Sequence, residues 1–365
     1  MRRSNFFLSI ILMVSFVAAL SGCVISPRLI PGQPTPTPSA SPTPKATPSP
    51  TPTPTPVPPT PQGKLYVTNQ DSNSILRFDN ALNATGNVAP GAVITGAATT
   101  LAAPQFITLD AAADRLYVAN ASGPSVLVFD GISTKNGNVA PTRNIIGANT
   151  QFIAPSSVAL DKGRDLLYVA DGAEIDVFPS ASTVTGDVAP TRDIITSFNN
   201  IQQIFIDASN DRLYLSDAAS NTVAVYDNAS TLTGAATATR SITGAQTLLA
   251  QPSGMAIDSS GNLIVTNQGN GKITVYSNAA GATGNVAPIT TISGAATTLA
   301  SPAQIIQSTA ANEVYVADST ANEVVVFSGI AGLSGDASPI RTISGSSTRL
   351  TGTVTARGVA LDPSR

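Results

Sequence analysis

Histidine and tryptophan are absent from the 365-residue chain, cysteine occurs once and glutamate three times. Histidine is the only side chain whose unperturbed pKa places its charge change between about pH 5 and 8, and it is the commonest general base and metal ligand. Its absence excludes Ser-His-Asp and Cys-His nucleophilic centres and histidine-based zinc sites. A single cysteine excludes an intrachain disulfide and any multi-cysteine metal site. Charge is scarce as well, at 11% of residues, and no run of lysine and arginine appears that could grip a phosphate backbone. Nucleic acid is therefore not an expected partner.

Ala, Thr, Ser, Gly and Asn fill the chain instead, and 42% of residues are hydrophobic. That composition suits an extracytoplasmic all-β protein better than a Glu/Lys-rich helical one. The formal charge is −3; residues 1–22 hold Arg2 and Arg3 and no acid, so the remainder carries 17 basic against 22 acidic residues. The 303 residues from 63 onward are enough to bury a sizeable core.

Residues 1–22 read as a signal peptide. Arg2 and Arg3 form a charged start, and Phe6 to Leu20 form an apolar run broken only by Ser9 and Ser15. At about fifteen residues the run is shorter than the ~20 a membrane span needs. The segment ends Leu20-Ser-Gly-Cys23, with the only cysteine in the chain directly after the apolar run. It resembles the lipobox of bacterial lipoproteins, which implies cleavage before Cys23 and lipidation of its sulfur with palmitate-like acyl chains. Two or more such chains give stable anchoring where one is marginal. The expected location is the bacterial cell envelope, lipid-anchored and extracytoplasmic. Val24 follows the cysteine rather than Asp, which by the same resemblance favours the outer membrane in a diderm organism.

Residues 23–62 form a tether. From Pro27 to Pro61 a proline stands at nearly every second or third position. Fixed φ and missing N–H donors exclude helix and sheet, so an extended polyproline II-like spacer is predicted. At ~3.1 Å per residue, about 35 residues reach on the order of 100 Å.

Residues 63–365 contain a repeat. Leu65-Tyr-Val-Thr-Asn69 recurs as Leu116-Tyr-Val-Ala-Asn120, Leu167-Tyr-Val-Ala-Asp171, Leu213-Tyr-Leu-Ser-Asp217, Leu263-Ile-Val-Thr-Asn267 and Val314-Tyr-Val-Ala-Asp318, at spacings of 51, 51, 46, 50 and 51. Each unit shows four strand signals separated by Gly/Asn/Asp/Pro turns, which predicts an antiparallel meander. The inner strands are apolar nearly throughout, so both faces must be covered, as when sheets stack radially. The first unit starts at its second strand, and the chain ends with Gly358-Val-Ala-Leu-Asp362, a surplus copy of a first strand. The fold predicted is all-β, a six-bladed β-propeller of four-stranded antiparallel blades. The C-terminal strand pairs with the N-terminal blade, and that closure removes exposed edges.

The runs Leu213 to Tyr226 and Val314 to Phe327 resemble NHL-type propeller repeats, a family that spans protein- and ligand-binding modules, some RNA binders and a few enzymes. Fold alone therefore decides little about function. The pattern departs in blade 3, where Asp171 to Phe178 is two residues short, and in blade 4, where Ala238 replaces the turn proline.

The most repeated polar position closes the second strand: Asn69, Asn120, Asp171, Asp217, Asn267 and Asp318. In a propeller these residues ring one face, which makes them the candidate ligand-binding set. The competing reading is that they stabilise the turn after each strand by side-chain-to-backbone hydrogen bonds, a role their sixfold repetition favours. The aspartates closing the first strands (Asp110, Asp161, Asp207, Asp258 and Asp362) read as turn residues in the same way. No paired-carboxylate motif, phosphate loop or nucleophile elbow is present, so no catalytic residue, metal ligand or cofactor is identified. The expected function is a binding module for a protein, peptide or glycan, joined to the membrane through Cys23. The alternative is a divalent-metal-dependent hydrolase of the gluconolactonase type. That resemblance implies Glu, Asn and Asp around a metal in the central channel, and Glu174 is the acid that breaks the internal symmetry.

Overall fold

In a computed structural model the described residues are 62–365 apart from residue 310, together with Gly32. The segments read as signal peptide and tether, Cys23 included, lie outside them, Gly32 and Gln62 excepted. The described chain forms six sheets around a central axis, and no α-helix occurs among these residues.

Blade 1 contains, from the axis outward, Ala356–Asp362, Lys64–Asn69, Ser74–Asp79 and Ala92–Ile94. Its innermost strand comes from the end of the chain, and Leu65, Tyr66 and Val67 stand opposite Leu361, Ala360 and Val359 in antiparallel register. The predicted closure is observed. Blades 2 to 6 cover residues 104–145, 155–195, 201–242, 252–292 and 302–344 in the same order of four antiparallel strands.

The apolar runs form strands rich in Val, Ile, Leu and Tyr because successive side chains alternate between neighbouring blades. In blade 3, Ile175 and Val177 pack against blade 4, while Leu167, Val169 and Phe178 pack against blade 2. Six clusters of buried apolar residues result, one for each contact between adjacent blades. The apolar character of both strand faces follows from this arrangement.

A second seam runs round the rim. The turn glycines Gly86, Gly137, Gly186, Gly234, Gly284 and Gly335 each bridge in parallel to the fourth strand of the preceding blade. Their φ values of +66° to +80° suit glycine, and the Gly86–Ile343 bridge joins blade 6 to blade 1. Ring closure therefore rests on the inner strand and on this outer bridge.

A feature the sequence reading did not foresee joins one blade to the next. Five of the connections carry a short 3₁₀ turn opened by glycine and closed by threonine, such as Ala97–Thr99 after Gly96. The threonine hydroxyl donates back to the glycine carbonyl, as Thr99 does to Gly96 at 2.7 Å. Between blades 3 and 4 this turn is missing: five residues separate Ile195 from Ile201, where nine separate Ile145 from Pro155.

Candidate ligand-binding site

First and second strands run antiparallel, so one face of the ring, here the upper, holds the starts of the first strands and the ends of the second. The six repeated Asn/Asp residues lie there, and all six side chains are buried. Asn120 accepts from the Ala102 amide at 2.7 Å and donates to the carbonyls of Thr100 and Gly123. Asp171 accepts from the amides of Ile153 and Ala154, and Asp217 from those of Asn200 and Ser220, both at 2.8 Å. Asn267 accepts from the Ala250 amide, and Asp318 from those of Ala300 and Ser301. Asn69 donates to the Arg349 carbonyl at 2.8 Å and accepts from the Ser72 amide. Each therefore clasps the loop that enters its own blade, satisfying backbone groups that would otherwise be buried without partners. Asn69, Asn120, Asp171, Asp217, Asn267 and Asp318 thus act as loop clasps, and Asp171 also lines the upper cavity described below.

The first-strand aspartates behave largely as turn residues. Asp161, Asp207, Asp258 and Asp362 each accept from a backbone amide two to four residues on. Asp110 instead faces Lys162 at 3.5 Å.

Glu174 stands opposite Asp171 across the shortened hairpin of blade 3. Its neighbour Asp176 is the more unusual acid. It occupies the register position held by Leu127 in blade 2, is 2% exposed, and pairs across the sheet with Asp193. Burial, and then the nearby charges of Asp193, Asp171 and Glu174, push its pKa up to about 8. Among the described residues, no group of three or more His, Cys, Asp or Glu is placed to hold a metal ion.

The channel along the axis is closed at mid-height. From blade 6, Gln304 donates to the Ile107 carbonyl at 2.8 Å, and its Oε1 accepts from the amides of Ile107 and Val359. From blade 4, Gln203 accepts from the Met255 amide. Two glycines let the first strands close in: a Cβ on Gly254 would lie 2.3 Å from the Ala303 carbonyl, and one on Gly358 2.7 Å from that of Gln105. This belt leaves one cavity on each face, and the two share no lining residue.

The lower cavity, of about 430 Å³, is ringed by Leu109, Leu160, Ile206, Ile257 and Leu361. The upper cavity, of about 390 Å³, sets polar side chains among apolar ones such as Ala121, Ile153 and Ile201. Its floor comes from the second position of the first strands, which reads Gln105, Ser156, Gln202, Ser253, Ala303 and Arg357 round the ring. Ser253 and Ala303 are buried, and the cavity opens over the other four. Gly172 of the shortened hairpin, and Asn199 and Asn200 of the shortened connection, form its wall. The sites where the repeat loses residues are the sites where the upper face opens.

Arg357 is the only charged residue of that floor. Its Nε donates to Gln105 Oε1 at 3.1 Å, its Nη2 to Gln202 Oε1 at 3.2 Å, and the guanidinium lies 5.4 Å from the Phe106 ring centroid. Part of its surface stays open to the cavity, yet protein surrounds most of the cation, and that burial lowers its pKa to about 10. It remains charged at neutral pH. The sequence reading passed over Arg357; the available signal was its charge at a position where the other repeats carry Gln, Ser or Ala.

The family model described as SMP-30/Gluconolactonase/LRE-like region matches residues 202–299, which correspond to blades 4 and 5. No curated protein matches the chain. A chain in the crystal structure of a nidogen/laminin complex is similar, at 16% identity and a TM-score of 0.55, covering 82% of this chain and 98% of that one. A functionally unknown protein from Desulfotomaculum acetoxidans DSM 771 aligns at 13% identity and a TM-score of 0.49, covering 81% of this chain and 83% of that one. The nidogen/laminin likeness is one of fold, and the fold is the six-bladed β-propeller.

Proposed function

We propose that this chain is a lipid-anchored envelope protein whose propeller binds a ligand at its upper mouth. The observation that carries the reading is the cavity floored by Arg357, Gln105 and Gln202, in which the two amide oxygens hold the guanidinium. The described chain begins at Gln62 and ends at Arg365 on the lower face, since Lys64 pairs with Asp362 at that end. The similar chain in the nidogen/laminin complex belongs to a protein–protein assembly, which suits a propeller used for recognition.

The partial family match favours a second reading, a metal-dependent lactonase-like hydrolase. A divalent cation in such a channel wants oxygen ligands, carboxylates above all. The upper floor offers amides and hydroxyls and, in place of a carboxylate, a fixed cation that would repel the metal. These residues do not fit that metal, and no hydrolytic step is built on it.

Two experiments test the proposal. Cys23→Ser should move the protein from the membrane fraction to the soluble one, and retention in the membrane would contradict the anchor. The wild-type protein should show no turnover on a panel of lactones with Ca²⁺, Mg²⁺ or Zn²⁺ added. Cation-dependent turnover would replace binding with hydrolysis.

A further inference from the structure

A cation withdrawn from water costs free energy unless a counter-charge or a set of hydrogen bonds offsets the loss of hydration. Most part-buried arginines of this ring are offset by acids, and Arg192 by the carbonyls of Ala229 and Leu232. Arg77 pairs with Asp79, Arg143 with Asp130, Arg240 with Asp227 and Arg341 with Glu313. The chain has 22 acids to offer, yet Arg357 is given only two neutral amide oxygens and the face of the Phe106 ring. The nearest acid of the cavity wall, Asp171, is committed to the amides of Ile153 and Ala154. Those oxygens act on Nε and Nη2, so they orient the guanidinium plane and leave Nη1 without a protein acceptor.

We propose that the upper cavity is a recognition site for a carboxylate-bearing polar ligand, with Arg357 as the group that receives the carboxylate. The planar guanidinium matches a carboxylate better than a point charge would. Around it, Asn199, Asn200 and Ser156 supply amide and hydroxyl groups that can both donate and accept. Such a lining suits the hydroxyls or amides next to the carboxylate in a sugar acid or at a peptide C-terminus. Ile153, 81% exposed on the rim, offers an apolar edge for the body of the ligand. The cavity exists because two loops of blades 3 and 4 are shorter than their counterparts, so charge and opening are concentrated at one place in an otherwise repetitive ring. This inference rests on the binding-module reading and names its ligand class.

The test is calorimetric titration of the full-length protein in detergent with four probes: D-glucuronate against D-glucose, and the dipeptide Gly-Ala against its C-terminal amide. At least one acid should bind more tightly than its neutral counterpart by about tenfold or more, the scale of a charge-assisted hydrogen bond. Whichever acid does so identifies the source of the carboxylate. Arg357→Gln introduces the residue already found at two other floor positions and should lose that preference, while Arg357→Lys should keep part of it. Equal binding of acid and neutral probes, or an unchanged preference in Arg357→Gln, overturns the carboxylate assignment and leaves the binding module standing. Tighter binding of inorganic phosphate than of either acid also overturns it. Failure of all four probes overturns it as well, and lactone turnover alongside that failure would remove the binding module too.

Discussion

The two mouths of the channel are built from the same six strands and gather different side chains. At the lower end, the fifth step along the first strands places Leu109, Leu160, Ile206, Ile257 and Leu361 around a cavity that Gln203, Gln304 and Ser308 also line. At the upper end, the second position supplies Gln, Ser and Arg357 to the other cavity, beside Ala121, Ile153 and Ile201. The lower ring keeps the internal symmetry in five of six blades; Gln307 is the exception. The upper mouth departs from symmetry in length and in charge together. A repeat can tolerate variation at its loops because blade packing depends on the strands between them. The difference shows how a repetitive scaffold gains a directed site: two loops shorten, one floor residue gains a charge, and the six interfaces stay apolar.

Deleting residues 358–365 would break the comparison altogether, since both cavities depend on the same closed ring. It removes Val359, Ala360 and Leu361 from the inner edge of blade 1 and exposes Leu65 to Val67. Burial of such side chains contributes about 1.5–3 kcal/mol apiece, before any loss of strand hydrogen bonds. Circular dichroism should show a large fall in melting temperature or no cooperative transition.

Asp176→Asn sharpens the comparison by removing a cost specific to blade 3. The folded state holds the Asp176 proton more tightly than the unfolded chain does. The group therefore favours folding most below about pH 4, and stability falls as pH rises until the folded-state pKa of about 8 is passed. The variant should be more stable than wild type by an amount that grows from near zero at pH 4 to several kcal/mol at pH 8, on the order set by 1.36 kcal/mol per pKa unit. Urea denaturation across that range measures it, and a pH-independent difference would contradict the assignment.

A smaller effect separates clasp from contact. Asn120→Ala leaves the Ala102 amide and the Thr100 and Gly123 carbonyls without their side-chain partner. The expected loss is about 1–3 kcal/mol in stability, from the desolvation of those groups. Carboxylate affinity measured by calorimetry should stay within twofold of wild type. A variant of normal stability with weakened binding would restore Asn120 to the ligand-binding set.

The blade count and the closure were legible in the sequence because each rests on local signals that repeat. Six Leu-Tyr-Val strings counted the blades, and Gly358 to Asp362 supplied the strand missing before Gly63. The repeated Asn and Asp were visible as a set, but the two readings of their role differ only in what the side chains meet. That is a tertiary fact: loop amides engage Asn120 and Asp171, and Asp171 lines the upper cavity as well. The glycine-to-threonine turns went unread because a hydroxyl returning to a carbonyl three residues back leaves no apolar periodicity. Asp176 carried a faint mark, as an acid inside the run Ile175 to Phe178. Arg357 carried less, for its isolation becomes apparent only when blades 1, 2 and 4 bring it beside Gln105 and Gln202.

The claim that the upper mouth is the binding face can be tested most directly by a crystal structure of the protein soaked with glucuronate or Gly-Ala. The account predicts ligand density in the upper cavity, with a carboxylate against the Arg357 guanidinium and the lower cavity free of that ligand. Density seated instead among Leu109, Leu160 and Leu361 would contradict it.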